Sequence, residues 1–300
     1  MPISRQARMT RTAISPRFAI RTLENTAYLR PMGFERAKAT LAGTRFADLR
    51  WVAETGSTNA DMVGLLAEKA TGEHPRQPVV LVADHQTAGR GRLDRTWESP
   101  PGASLLMTIG MWVEPYPPER RTLLSAALAM SVTDPLPDLR IKWPNDLVAI
   151  GVGEDGGDRK AGGILAEVRA IEGIGDCALL GLGLNLNWPE IPEELAGIAT
   201  SMNLLLDGDV DREVVASAIL VALDAQWLPL LEPSGGSVEE FLSAYRARSA
   251  TLGRRVRVEM ADAVLVGTAV DLAPDGALVI EDDQRVRRTV AAGDVTHLRT

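Results

Sequence analysis

The chain has 300 residues, 45% hydrophobic and 24% charged, with a formal net charge of −8. That length suits roughly two domains, and the composition is ordinary for a globular protein that holds its core by burial alone. A single cysteine, Cys177, excludes a disulfide framework and any multi-cysteine zinc site.

Cys177 lies in an apolar run and reads as a small core residue of a protein kept reduced, which places it in the cytoplasm. The three histidines, His74, His85 and His297, share no ligand spacing, so neither a zinc site nor a Ser-His-Asp triad is expected. No run approaches the roughly 20 apolar residues of a membrane helix. Residues 1–45 carry eight arginines and one lysine against two glutamates, a net +7, which leaves −15 on the remaining 255 residues. An acidic body argues against broad nucleic-acid binding. The basic arm reads as a disordered or non-native extension, or as a transit peptide.

Beyond residue 46 the pattern alternates. Residues 50–55 predict a strand, and 57–70 a helix with capping residues at its start and apolar spacing at Met62, Leu65, Leu66 and Ala70. Residues 78–84 form a continuous β-branched run, typical of a buried strand. QTAGRGRLDRTW (86–97) follows directly, so it is a loop leaving a strand end. A strand over 103–112 and a helix over 119–133, stopping before Pro135, come next. Residues 140–143, 147–150, 160–168 and 177–186 read as successive strands, with the Gly- and acid-rich 151–158 as a turn. Helices are predicted over 211–228 and 237–249, the second with Ser237 and Glu240 as a capping box. The last 50 residues alternate over short distances around a turn at 274–276, as in a small β-barrel or sandwich. The fold class is α+β: a basic extension (1–45), a mixed sheet flanked by helices (46–250) and a C-terminal β domain (251–300).

Four segments carry candidate chemistry, each with a plainer reading beside it. GRGR (89–92) is an ordinary exposed turn, or an anion-binding loop in which glycines bring the backbone close and arginines supply bidentate donors. In KWPND (142–146), Pro144 breaks the ladder, so Asn145 and Asp146 sit in a turn. They are either turn formers or an amide reader and a carboxylate near a metal or hydroxyl, with Lys142 and Trp143 alongside. Lys160 starts a strand, and Gly162 and Gly163 after it leave room for a ligand. GLGLN (181–185) is the weakest signal and fits close sheet packing. Neither a dinucleotide fingerprint nor a P-loop is present.

Together GSTN (56–59), QTAGRGR with Trp97, SPPGASLLMTI (99–109), KWPND, KAGGIL (160–165), GLGLN and the C-terminal tail resemble the biotin protein ligase family over about residues 50–300. The resemblance implies a class II aminoacyl-tRNA-synthetase-like mixed sheet with a C-terminal SH3-like barrel. It implies activation of biotin by Mg-ATP to biotinyl-5′-AMP, then transfer to a lysine of a biotin carboxyl carrier protein. By motif, Ser57, Thr58, Asn59, Gln86 and Gly163 would border biotin, and Gly89, Arg90, Gly91 and Arg92 would fold over it. Trp97, Lys142, Asn145 and Asn185 would face the nucleotide. Lys160, Arg92 and Asp146 would be catalytic, Asp146 orienting Mg²⁺ or the acceptor lysine.

Residues 1–45 match no winged helix-turn-helix, so the short, enzyme-only type is expected, monomeric or weakly dimeric and without specific DNA or membrane binding. A lipoate- or octanoyl-transferring relative is the alternative, and a nucleic-acid-binding regulator using the basic arm a remote one. Leu93-Asp94 departs from the basic-then-glycine pair of many relatives. Asp94 is expected either to pair with Arg92 or Arg95 and shape the loop, or to loosen it.

Overall fold

The computed structural model describes residues 34–260 and 263–298; the readings made for residues 1–33 lie outside it. Helix α1 (Glu35–Leu41) opens the described chain, and Phe34, Ala37, Leu41 and Phe46 are buried. Glu213 accepts the backbone N–H groups of Arg36 and Ala37 at 2.9 and 3.2 Å. The folded body therefore begins before residue 46, because this short stretch has apolar residues to bury and a carboxylate to bind its free amides.

Seven strands make the main sheet: β1 (Asp48–Thr55), β2 (Val79–Gln86), β3 (Ser104–Trp112), β4 (Leu139–Lys142), β5 (Asp146–Ala149), β6 (Arg159–Ile171) and β7 (Gly175–Asn185). Their order is β1-β2-β3-β7-β6-β5-β4, with β1 and β2 parallel and the other neighbours antiparallel. Helix α2 (Thr58–Lys69) joins β1 to β2. The helix expected over 119–133 forms as α3 (Pro118–Arg121) and α4 (Leu124–Thr133). In α4 every residue but Ser125 is buried, as befits a helix at the centre of a core.

Strand alternation sends side chains to two faces. Leu105, Met107 and Ile109 of β3, with Ala178, Leu180, Leu182 and Leu184 of β7, pack into the large core under α4. On the opposite face Met62 and Leu66 of α2 cover Val79, Leu81, Cys177 and Leu179 in a smaller cluster. Further along that second face come Gly181, Gly183 and Gly163, with Thr108 opposite Gly181 in the register.

After β7 come α5 (Glu193–Ala196), α6 (Met202–Leu206) and α7 (Arg212–Ala222), which runs through a π turn at Leu223–Trp227 into α8 (Leu228–Leu231). The 20-residue stretch Arg212–Leu231 is long and apolar enough to cross a membrane by length and composition, contrary to the sequence expectation. Its Val215, Ile219, Leu223, Trp227 and Leu231 are buried in the large core, which accounts for that composition. Helix α9 (Val238–Arg248) is capped by Ser237, whose hydroxyl accepts from Glu239 N–H at 3.1 Å, one residue short of the expected box position.

The C-terminal sheet is antiparallel, in the order β11-β10-β9-β8-β12: β8 (Arg255–Glu259), β9 (Val264–Leu272), β10 (Leu278–Glu281), β11 (Arg287–Val290) and β12 (Asp294–His297). It is fastened to the main body. Trp143 N–H donates to Thr251 Oγ1 and its Nε1–H to the Gly276 carbonyl, both at 3.0 Å. Arg254 bonds Asp158 in the β5–β6 link, and His297 lies 3.4 Å from the same carboxylate and 3.2 Å from Thr251. Burial, then the charges of Lys142 and Arg254, push the His297 imidazole down to about 4, against the opposing pull of Asp158.

His297 is thus neutral in the fold but takes up a proton in the unfolded chain below its ordinary value near 6.5. Its contribution is complete above about pH 6.5 and is lost as pH falls toward 4. Thermal melting should accordingly decline between pH 7 and 4.5, and His297→Gln should flatten that decline; an unchanged slope in the variant would remove His297 as its source.

Candidate active site

The site occupies the part of the second sheet face that α2 leaves uncovered. Its floor is bare because Gly163, Gly181 and Gly183 stand side by side there, while the intervening leucines point into the core. A Cβ on Gly181 would overlap Asn59 Oδ1, and one on Gly183 would lie 2.6 Å from the Trp97 indole. The Gly-Leu alternation that sequence reading assigned to close sheet packing therefore seats two site side chains.

A polar row runs beside this floor. Gln86 Oε1 accepts the Thr58 N–H at 2.7 Å, capping α2 in place of Ser57, and lies 2.9 Å from the Thr58 hydroxyl. Thr58 Oγ1 is 2.8 Å from Thr108 Oγ1, which is 2.6 Å from Asn59 Oδ1. Asn59 Nδ2 donates to the Leu165 carbonyl and to Glu167, which turns its oxygen toward Thr108. Two hydroxyl protons thus serve three oxygen–oxygen contacts, since both amide oxygens only accept. The row has surplus acceptor capacity and suits a ligand that brings N–H donors.

The loop after β2 is a small hairpin. Trp97 N–H bonds the Gly89 carbonyl at 2.9 Å, Arg90 bridges Thr96, and Gly91 N–H bonds Arg95 O at 2.6 Å. Gly89 lies at its base, where a Cβ would strike the Trp97 carbonyl, and does not line the pocket. Leu93 and Asp94 form the tip at φ 56° and 57°, the left-handed pair of a type I′ turn that Asn-Gly adopts most easily. Asp94 pairs with neither arginine, correcting one expectation: Arg92 donates to Asn145 Oδ1 at 2.9 Å and to the Gly293 carbonyl, and Arg95 bonds Asp294. Burial works against ionisation of Asp294, but Arg95, with Lys142 and Arg92 nearby, holds its carboxyl below the usual range.

Two further cations of the pocket are partnered as well. Arg90 meets Glu167 at 3.4 Å, and Lys160 Nζ meets Asp146 Oδ1 at 2.6 Å. Asp146 is the first residue of β5, paired with Lys142 and Gly163, rather than part of the turn, which is Trp143-Pro144-Asn145 with a cis Trp143–Pro144 bond. Lys160 also lies 5.6 Å from the centre of the Trp97 ring, whose Nε1 is buried without a hydrogen-bond partner. Ser57, Thr58, Asn59, Gln86, Arg90, Gly91, Arg92, Trp97, Lys142, Asn145, Asp146, Lys160 and Gly163 all line this pocket. Asn185 does not: it is buried, donates to the Thr200 carbonyl at 3.0 Å, and borders an adjoining cleft of about 1320 Å³.

Sequence reasoning missed Thr108, Glu167 and Asp294. Thr108 was signalled by being a polar residue in the middle of a buried apolar strand; the other two left no local mark. Among the described residues, no group of three or more His, Cys, Asp or Glu is placed to hold a metal ion.

Comparison with known proteins finds relatives for both parts of the chain. The profile of the Biotin/lipoate A/B protein ligase family matches residues 53–185, and that of the Biotin protein ligase C terminal domain matches 251–298. The chain is 38% identical to the biotin--[acetyl-CoA-carboxylase] ligase of Mycobacterium tuberculosis, over 86% of this chain and 92% of that protein. It is 28% identical to the bifunctional ligase/repressor BirA of Escherichia coli, over 76% and 67% of the two chains. The biotin protein ligase of Aquifex aeolicus, solved with biotin and ATP, superposes with a TM-score of 0.68 at 26% identity, over 85% of this chain and all of that one.

Two substitutions test the geometry. Gly183→Ala should displace the Trp97 indole and cost about 1–3 kcal/mol through overpacking, read by denaturant unfolding and tryptophan fluorescence. Asp94→Gly should raise stability by about 1 kcal/mol, because glycine bears no penalty at positive φ; a loss instead would mean that the tip depends on the carboxylate.

Proposed function

The chain belongs to the Biotin/lipoate A/B protein ligase family, and from that premise we infer that it activates biotin with ATP and transfers it to protein. One observation carries the choice of substrate: an acceptor-rich row at the pocket floor lies beside four cations on the loop and on β6. Biotin brings two ureido N–H groups to such a row, whereas the dithiolane ring of lipoate brings none. The biotin ligases among its relatives support the same choice.

The chemistry has two steps. A biotin carboxylate oxygen attacks the α-phosphorus of ATP, the bond to the bridging oxygen breaks, and pyrophosphate leaves. The amine of an acceptor lysine then attacks the acyl carbon of the mixed anhydride, loses a proton and expels AMP. Both substrates of the first step are anions, so the barrier depends on neutralising and aligning them. Lys160, Arg92 and Arg90 supply that charge by exchanging internal partners for substrate oxygens. Lys160 leaves Asp146, whose carboxylate then accepts a hydrogen bond from the incoming lysine amine. Trp97 packs beside the adenine, with Lys142 and Asn145 on the nucleotide side.

Mg²⁺ enters with ATP, bound mainly by its phosphates. The acceptor is a biotin carboxyl carrier domain, in keeping with the carboxylase named for the mycobacterial relative. The reading of a cytoplasmic monomer or weak dimer rests on the resemblance and on the single buried, unpaired cysteine.

The direct test is incorporation of biotin into a purified carrier domain with Mg-ATP, with lipoate as competitor. Wild type should label the carrier with biotin, and Lys160→Ala should lower kcat/KM by about 100-fold or more. Thr108→Val, which removes a proton from the polar row, should raise the biotin KM about tenfold at nearly unchanged kcat. Absence of product with wild type would sink the assignment; preferential labelling with lipoate would transfer it to the other branch.

A further inference from the structure

Beside the carboxylates that line the pocket, Asp146 and Asp294, a third stands just behind its lining and bonds two lining residues, Asn59 and Arg90. Glu167 lies on the site face of β6, two residues beyond Leu165, with its side chain 18% exposed. Its oxygens divide among three donors. Oε2 accepts from Asn59 Nδ2 at 3.1 Å and from Arg90 at 3.4 Å, and Oε1 accepts from Arg169 at 2.6 Å. Asn59 belongs to α2 and the pocket floor, and Arg90 to the hairpin that covers the pocket. Glu167 therefore touches both the floor and the cover through a single oxygen.

We propose that Glu167 is a positioning residue that couples occupancy of the biotin floor to closure of the 89–97 hairpin. The inference rests on the biotin ligase reading. The carboxylate fixes the Asn59 amide in one orientation, because a flipped amide would set its oxygen against both Glu167 and the Leu165 carbonyl. It also draws the Arg90 guanidinium down over the floor through a charge-assisted hydrogen bond. A ligand that donates to the floor tightens the row ending at Asn59, and hence the group that holds Arg90. Glu167 itself touches no reacting atom, so its loss should affect retention more than chemistry.

The decisive variant is Glu167→Gln, which keeps the shape and one acceptor oxygen but removes the charge that draws in Arg90 and sets an NH₂ against either Arg169 or the Asn59–Arg90 pair. Biotin binding by the full-length protein is measured by calorimetry, and release of preformed biotinyl-adenylate by rapid dilution. Carrier labelling is measured at saturating substrates. Expected are biotin binding about tenfold weaker and adenylate release about tenfold faster, with the maximal labelling rate within about twofold of wild type. Arg169→Ala, which removes only the outer partner, should leave all three readings within about twofold. Unchanged affinity and release in Glu167→Gln, or a fallen maximal rate with affinity and release intact, would overturn the proposal.

Should Glu167→Gln fail to fold, Asn59→Ala and Arg90→Ala read the same link. Their combined loss of biotin affinity should fall short of the sum of the single losses, and strict additivity would overturn the coupling. A wild-type protein that binds no biotin would overturn the underlying activity and this inference with it, an outcome distinct from an active wild type with an indifferent variant.

Discussion

The organising constraint is the two-residue period of β7. Alternate side chains of a strand must face opposite sides of the sheet. Here one set, Ala178, Leu180, Leu182 and Leu184, enters the large core, and the other includes Gly181 and Gly183. The same strand is thus anchored and cleared. Because the leucines hold the backbone in place, the glycines can leave a flat floor without the strand drifting, and Asn59 and Trp97 occupy the space that Cβ atoms would need. A one-residue slip would put leucines in the site and glycines in the core.

The electrostatics follow from that geometry. A shallow, bare floor cannot surround an anion, so the cations come from elsewhere: the hairpin after β2, the start of β6, and Lys142 at the end of β4. Each of Arg90, Arg92, Arg95 and Lys160 already holds an internal acceptor. Such pairing lowers the self-repulsion of four nearby positive charges and keeps their side chains ordered, so that substrate binding is an exchange of partners rather than an ordering of free chains. The C-terminal sheet takes part in this: Gly293 and Asp294 hold the hairpin, while Arg254 and His297 hold Asp158, two residues before Lys160.

Much of this was legible in the sequence because it is local. The strand runs, α2 with its Met62–Leu66 stripe, the strand-end position of the arginine loop and the β character of the last 50 residues all follow from hydrophobic period and turn chemistry. Most nominated residues do line one pocket. Gly89 and Asn185 do not: one closes the hairpin, and the other satisfies a buried carbonyl next door. Leu93 and Asp94 were visible as an oddity, but their left-handed conformation was not. The expected pairing of Asp94 failed because the arginines find better-placed partners on Asn145 and the C-terminal sheet.

By itself, then, the sequence determined the elements, the chemical inventory and the family, since period, composition and motif order are properties of neighbouring residues. Only the tertiary structure decided partnerships. Thr108, Asn59 and Glu167 come from three separate elements and meet because register sets Thr108 opposite Gly181 and Gly181 opposite Leu165. Asp294 reaches Arg95 across 199 positions of chain. Such contacts depend on how strands pair and domains dock, and neither distance is written in any local stretch.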